Sequence, residues 1–321
     1  MNGLLQVEQK MKLNATKAGN YKNKITYIKN HYPLYLLIMP AVILTIIFRY
    51  IPMYGVVLAF KDFSYAKGIL GSEWVGFKYF KQFMTSPNFG VIFMNTLKLS
   101  VYGLILGFPA PIILAIMLNQ VRRARTKKTI QLILYAPNFI SVVIVVGMLF
   151  LLLSPTGPIN KIITLFSDHP IYFMSDPKYF RSVYILSGIW QGAGWSSIIY
   201  IAALAGVDTQ LYDAARIDGA TLLQRIRHID LPTIKPVIVI SLILAIGGIM
   251  GIGFEKAYLM QKGMNLSVSE IIPTYVYKVG LLASNFSFGA AVGLFNTVIN
   301  LILLILANSI AKRVNEGYGL Y

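Results

Sequence analysis

The chain has 321 residues, of which 56% are hydrophobic and only 13% charged, and it carries a net charge of +17 with a mean hydropathy of +0.64. A soluble domain carries roughly 25% charged residues, so this chain lacks the polar surface to cover a water-soluble globule. It has no cysteine and no Gly-Lys P-loop dipeptide, which excludes disulfides, thiol nucleophiles and phosphate cradling by that loop.

Residues 1–32 form a basic tail containing Lys10, Lys12, Lys17, Lys22, Lys24 and Lys29, read as a topology anchor at anionic lipid. An apolar run at 34–60, interrupted by Arg49 and Pro52, reads as a permanent span rather than a cleaved leader. Further spans are expected at 91–118, 131–153, 183–206, 237–254 and 288–311, which makes an all-α membrane protein with six transmembrane helices.

Lys and Arg concentrate in alternate connections: the N-terminal tail, the 119–130 loop (Arg122, Arg123, Arg125, Lys127, Lys128), the 207–236 loop and Lys312 with Arg313. By the positive-inside rule these segments, and so both termini, are expected on the cytoplasmic side. The same placement makes the charge a topology signal and argues against nucleic acid as a partner. His31, His169 and His228 are too scattered to form a metal site.

Polar groups within apolar runs are candidates for function, because burying them in lipid is costly. They are Trp190, Gln191 and Trp195 in the fourth span, Glu255 and Tyr258 at the outer end of the fifth, and Asn296 and Asn300 one turn apart in the sixth. Aromatic planes and amide donors suit sugar rings and hydroxyls along a substrate path. The same residues equally suit bonds between helices or an interfacial belt. Glycine pairs four apart (103/107, 188/192, 247/251 and 289/293) are expected to let helices approach closely.

The 207–236 loop has more structure than a turn requires. Asp208 is placed to cap a short helix through Leu211, Ala214 and Ala215, and Gly219 to end it in the left-handed conformation. Thr221 and Gln224 form a capping-box pattern for a second helix, and Pro232 and Pro236 are expected to break the chain before the fifth span. Two short helices at a glycine, with small residues on top, suit a cytoplasmic docking element. An amphipathic segment lying on the membrane is the alternative.

The same loop resembles the EAA loop of ABC importer permeases: Glu-Ala-Ala, three residues, Gly, nine residues, Ile, one residue, Leu-Pro. Asp213, Ala214, Ala215, Gly219, Ile229, Leu231 and Pro232 keep every spacing, with Asp in place of the leading Glu. Asp218 beside Gly219, the stretch from Pro52 to Phe63, the run from Trp74 to Phe77 and the run from Gly253 to Met260 are similar to carbohydrate permeases of the maltose-transporter type, most of all those for complex oligosaccharides from pectin or alginate.

The resemblance implies a type I importer permease fold over residues 33–313, with a short tail at 314–321, in a bacterial cytoplasmic (inner) membrane. It implies a second permease subunit, two cytoplasmic ATPase subunits that bind ATP and Mg, and an extracytoplasmic solute-binding protein. This chain itself would bind no cofactor and catalyse nothing. The coupling helix would consist of Asp213, Ala214, Ala215, Asp218 and Gly219, with Ile229, Leu231 and Pro232 following. An ion-coupled secondary transporter is the rival, and would be expected to show inverted repeats or a midplane ion site. An intramembrane enzyme would need a paired nucleophile and base within the spans.

Overall fold

The computed structural model describes residues 27, 30–251 and 253–314, so the lysines of the basic tail lie outside the described residues. The chain divides into two units, Met1–Val57 and Leu58–Tyr321. In the first, helix α1 (Tyr32–Thr45) opens with a proline in its first turn and passes into a π turn, Ile46–Tyr50, that contains Arg49. The helical run Tyr32–Phe60 has 29 residues, enough to cross a bilayer.

The second unit begins with a short antiparallel hairpin, β1 (Lys61–Asp62) and β2 (Glu73–Trp74), in which Lys61 lies opposite Trp74. Helix α2 (Lys78–Met84) is fastened to it by Asp62, which accepts hydrogen bonds from the Tyr79 hydroxyl at 2.7 Å and from Lys78 Nζ at 3.1 Å. Those two bonds, Tyr79's first, hold the Asp62 carboxyl below its ordinary pKa.

Helices α3 (Phe89–Gly107) and α4 (Pro109–Asn119) join at Phe108 into one 31-residue span where 91–118 was expected. The span expected at 131–153 is not a single rod. It consists of α5 (Ala124–Tyr135), a 3-10 turn, and α6 (Val142–Leu152), bent by 98°. Pro137 opens the 3-10 turn, and Ser141 starts a new helix by accepting from the Ile144 N–H.

Helix α7 (Pro177–Ala205) has 29 residues and packs against α3, α4 and α5. Among the described residues, four helical runs are long and apolar enough to span a membrane, or five if the bent pair counts as one. Helix α7 has the length for the sixth, but its apolar character is diluted by Trp190, Gln191, Trp195 and three glycines.

After the short helix α8 (Thr209–Ile217), α9 (Leu222–Arg225) runs through a π turn (Ile226–Asp230) into α10 (Leu231–Gly247), making one continuous 26-residue helix, Leu222–Gly247. Pro232 and Pro236 therefore do not break the chain. The Leu231 N–H reaches back five residues to the Ile226 carbonyl. This wide turn puts Pro232 at a fresh helix start, where its missing donor is tolerated.

The fifth span ends at Gly247 rather than 254. Chain turns separate it from α11 (Phe254–Met260), so Glu255 and Tyr258 sit on a different helix from the one expected. The chain continues through α12 (Ile272–Val276) to α13 (Phe286–Val314), which lies along α10.

Three buried clusters hold the second unit together. One, rich in aromatics, joins α2 and the start of α3 to α13 through Phe83, Ile92 and Phe288. The second joins α3, α6, α7 and α11 through Leu99, Val146, Ile185 and Met260. The third joins α4, α7 and α10 through Ala115, Tyr200, Leu204 and Ile234.

Candidate functional site

The segment from 208 to 230 is organised by its own caps. Asp208 accepts from the Gln210 N–H at 2.9 Å and starts α8. The helix ends where Gly219 takes φ +72°, a left-handed conformation that costs glycine nothing. There the Gly219 N–H bonds the Arg216 carbonyl at 3.1 Å and the Ala220 N–H bonds the Ala215 carbonyl at 2.8 Å, the paired closure of a Schellman end. Thr221 and Gln224 then exchange the two bonds of a capping box.

Asp213, Ala214, Asp218 and Gly219 are exposed, and Ala215 is half-buried. Asp213 forms an exposed ion pair with Arg216 at 3.1 Å. Beside them Ile217 is 87% exposed and Leu223 73% exposed. Of the remaining positions of the pattern, Leu231 and Pro232 are exposed and Ile229 is half-buried.

The knob is fastened to the spans through Asp230, which was not singled out in the sequence. Its side chain is fully buried. It accepts from the Tyr212 hydroxyl, from Gln120 Nε2 at 2.9 Å and from Asn119 Nδ2 at 3.4 Å, while Asn119 also donates to the Tyr212 oxygen at 3.1 Å. Burial and the bond to Asp230 push the Tyr212 hydroxyl up to about 12, so it stays protonated as a donor at neutral pH. One carboxylate thus ties α8 to the last turn of α4 and to the helix that becomes α10.

Along α7 a second feature appears. Gly188, Gly192 and Ser196 repeat at one-turn spacing and share a cavity of about 310 Å³ with Gly103 and Gly107 of α3. A larger space of about 680 Å³, lined by Trp195, Ser196, Tyr200 and Ser241, shares Gly107, Pro111 and Ser196 with it. These glycines do not mediate the close packing expected of them: nothing lies within 4 Å of a Cβ built on Gly103 or Gly192. Close approach occurs at Gly194 and at two of the expected positions, Gly247 and Gly289. Gly194 admits the Leu134 carbonyl of α5, a Cβ built on Gly247 would come within 2.5 Å of Leu304, and one built on Gly289 within 2.6 Å of the Gly280 Cα.

The other residues proposed for a substrate path are spread out. Trp195 lines the larger cavity, edge-on to Phe139 with ring centres 5.4 Å apart. Trp190 faces separate apolar spaces beside α6 and α4. Gln191 donates at 2.9 Å to the Ile140 carbonyl and satisfies the backbone freed at the 98° bend. Asn300 accepts from the Met250 N–H at 2.9 Å and Asn296 donates to the Met250 carbonyl at 3.2 Å, so together they clamp the chain just past the end of α10. Tyr258 packs against Phe254 and Tyr277, and Glu255 is exposed.

The buried charge on α11 is instead Lys256, 8% exposed, whose Nζ donates to the Tyr184 carbonyl at 2.9 Å. The helical phase of α11 carried that signal, because Lys256, Ala257 and Met260 share the buried side.

The family model described as "Binding-protein-dependent transport system inner membrane component" matches residues 107–316, more than half of the chain. The chain belongs to that family. It is 48% identical over 289 residues, 90% of each chain, to the polygalacturonan/rhamnogalacturonan transport system permease protein YteP of Bacillus subtilis.

Two crystal structures are also similar. A chain of a bacterial ABC transporter involved in the import of the acidic polysaccharide alginate is 37% identical with a TM-score of 0.83, covering 90% of this chain and 98% of that one. The same transporter type in complex with an alginate pentasaccharide-bound periplasmic protein gives 36% identity and a TM-score of 0.83, covering 92% of this chain and 99% of that one.

The protein is therefore a multi-spanning inner-membrane transport component with the type I importer permease fold, and not an enzyme. The match includes α8, Asp230 and the whole of α7, while α1, the hairpin and α2 lie before it.

Proposed function

We propose that this chain is a permease subunit of an ABC importer for oligosaccharides cut from plant or algal polysaccharides. Its partners are a second permease subunit, two cytoplasmic ATPase subunits carrying ATP and Mg, an extracytoplasmic solute-binding protein and the surrounding lipid. Both termini and the 207–236 loop face the cytoplasm, residues 1–32 and 314–321 being tails on a permease domain of 33–313. The reading of the substrate draws on the named substrates of the similar permeases.

The observation that carries the coupling role is the knob of exposed Asp213, Ala214, Asp218 and Gly219 with half-buried Ala215, bare Ile217 beside it and Asp230 bonding it to the ends of two spans. When ATP closes the ATPase pair, a body seated on α8 moves it as a rigid lever. The Asp230 junction passes that motion to α4 and α10, and the cavity changes the side on which it opens. Hydrolysis resets the cycle.

Replacing Ala215 by Arg, or Gly219 by Pro, tests this. Ala215→Arg places a long cation where the partner must approach the backbone. Gly219→Pro forbids φ +72°. The expected outcome is normal membrane insertion, with import and its ATPase stimulation lost by about tenfold or more, equivalent to ~1.4 kcal/mol of coupling. Unchanged sugar uptake in both variants would falsify the docking role.

A further inference from the structure

Lys256 poses an unanswered question about charge. Its side chain is buried, yet among the described residues it forms no salt bridge. An ammonium taken out of water without a counter-ion is costly, and in membrane proteins such a group marks a ligand path or a missing partner. Its nitrogen sits 5.0 Å above the centre of the Tyr184 ring and donates to the Tyr184 carbonyl. That uses one of three N–H groups.

The remaining donors face a built space. Lys256 lines the cavity of about 310 Å³ together with Gly103, Gly107, Gly188 and Gly192. The nitrogen reaches the glycine face of α7, lying 3.3 Å from where a Cβ on Gly188 would be. The glycines leave room instead of drawing the helices together, and a neighbouring space that shares Ser196 is lined by the Trp195 ring. A cation followed by bare backbone and then an aromatic plane suits a sugar that carries a carboxylate. The ammonium takes the anion, and the indole takes a ring face.

We infer that Lys256 is a specificity-determining residue of the translocation path, holding the carboxylate of a uronic-acid unit as it crosses the cavity between α3–α4 and α7. The inference rests on the oligosaccharide-importer reading and adds which chemical class of oligosaccharide the path selects and by which side chain. Lys256 acts by binding alone, and no bond of the sugar is broken.

The test uses the complete transporter with its binding protein in liposomes. Uptake of a short oligogalacturonide is compared with uptake of the same oligosaccharide as its methyl ester, which keeps the size and removes the charge. Lys256→Met keeps the length and is suited to burial, so basal ATP hydrolysis and yield of assembled complex are expected to match wild type. Loss of a charge-assisted hydrogen bond should lower uptake of the acid by about tenfold or more, with the ester changed by less than about twofold, and Lys256→Arg should restore much of the acid uptake.

Equal uptake of the acid by Lys256→Met and wild type overturns the inference. So does an equal loss of acid and ester, which would mark a purely structural lysine. If wild-type liposomes hydrolyse ATP yet import neither sugar, the substrate reading fails first and takes this assignment with it. Wild-type import of the ester alone would also overturn both.

Discussion

In the segment from Asp208 to Gln224, the caps that shape the backbone join residues no more than five positions apart. Along α7 the shaping partners are remote: Gln191 serves a carbonyl 51 positions away, and Lys256 reaches Tyr184 across 72. Both regions depend on glycine. At Gly219 it supplies a backbone conformation, and at Gly188 and Gly192 it supplies room. An exposed segment of this kind can be written in local code, because its own chain completes every cap. A path through the spans is an agreement among helices, and any one of them read singly describes only part of it.

The sharpest way to break that contrast is to fill two glycines on α7 that lie two positions apart. Gly194→Val would overlap the Leu134 carbonyl, and the backbone of α5 must shift to admit it. The expected loss is ~3 kcal/mol or more, seen as a large drop in the melting temperature of the detergent-solubilised complex. Gly192→Ala meets nothing within 4 Å, and its melting temperature should stay at the wild-type value. If the two variants melt alike, the division of α7 into a packed side and an open side is wrong.

A smaller effect is expected at Asp230, the one place where the local segment depends on distant residues. Asp230→Ala leaves the half-buried Tyr212 and Gln120 donors without their acceptor. A cost of about 2–3 kcal/mol follows. Protease cleavage within 208–220 should quicken while basal ATP hydrolysis persists. Cleavage at the wild-type rate would mean that α8 is held by its own caps alone.

The smallest effect sharpens the other side. Thr221→Ala removes the capping box and should cost about 1 kcal/mol, confined to α9. Hydrogen exchange should rise at 222–225 and stay unchanged in α7. Protection lost in α7 as well would show that the cap is not a local device.

These contrasts also account for what could be read in advance. The caps at Asp208, Gly219 and Thr221 were legible because each is a residue type at a fixed short offset. The runs of apolar residues located the spans, since lipid demands length and little else. The bend at Ile140 was hidden because hydropathy is blind to direction: Pro137 and Ser141 sit inside an apolar run that reads as continuous. Pro232 and Pro236 read as breaks in the sequence because a five-residue turn has no sequence period of its own. Glu255 drew attention over Lys256 by its acidity, although the phase of a seven-residue helix puts the lysine inside. Asp230 was overlooked because its partners at 119 and 120 lie 111 and 110 positions away.

The π turn at Ile226–Asp230 bears on orientation. A regular helix advances about 100° per residue, so a turn that holds one residue more sets everything before it at a different azimuth from everything after. The surface that α9 offers at the Leu222 end of the rod is thereby uncoupled in angle from the surface that α10 presents to α7 and α13, though the rod between them is unbroken. The turn works as an angular spacer. It lets one stiff element turn its two ends to different bearings, which a uniform helix of the same sequence length could not do.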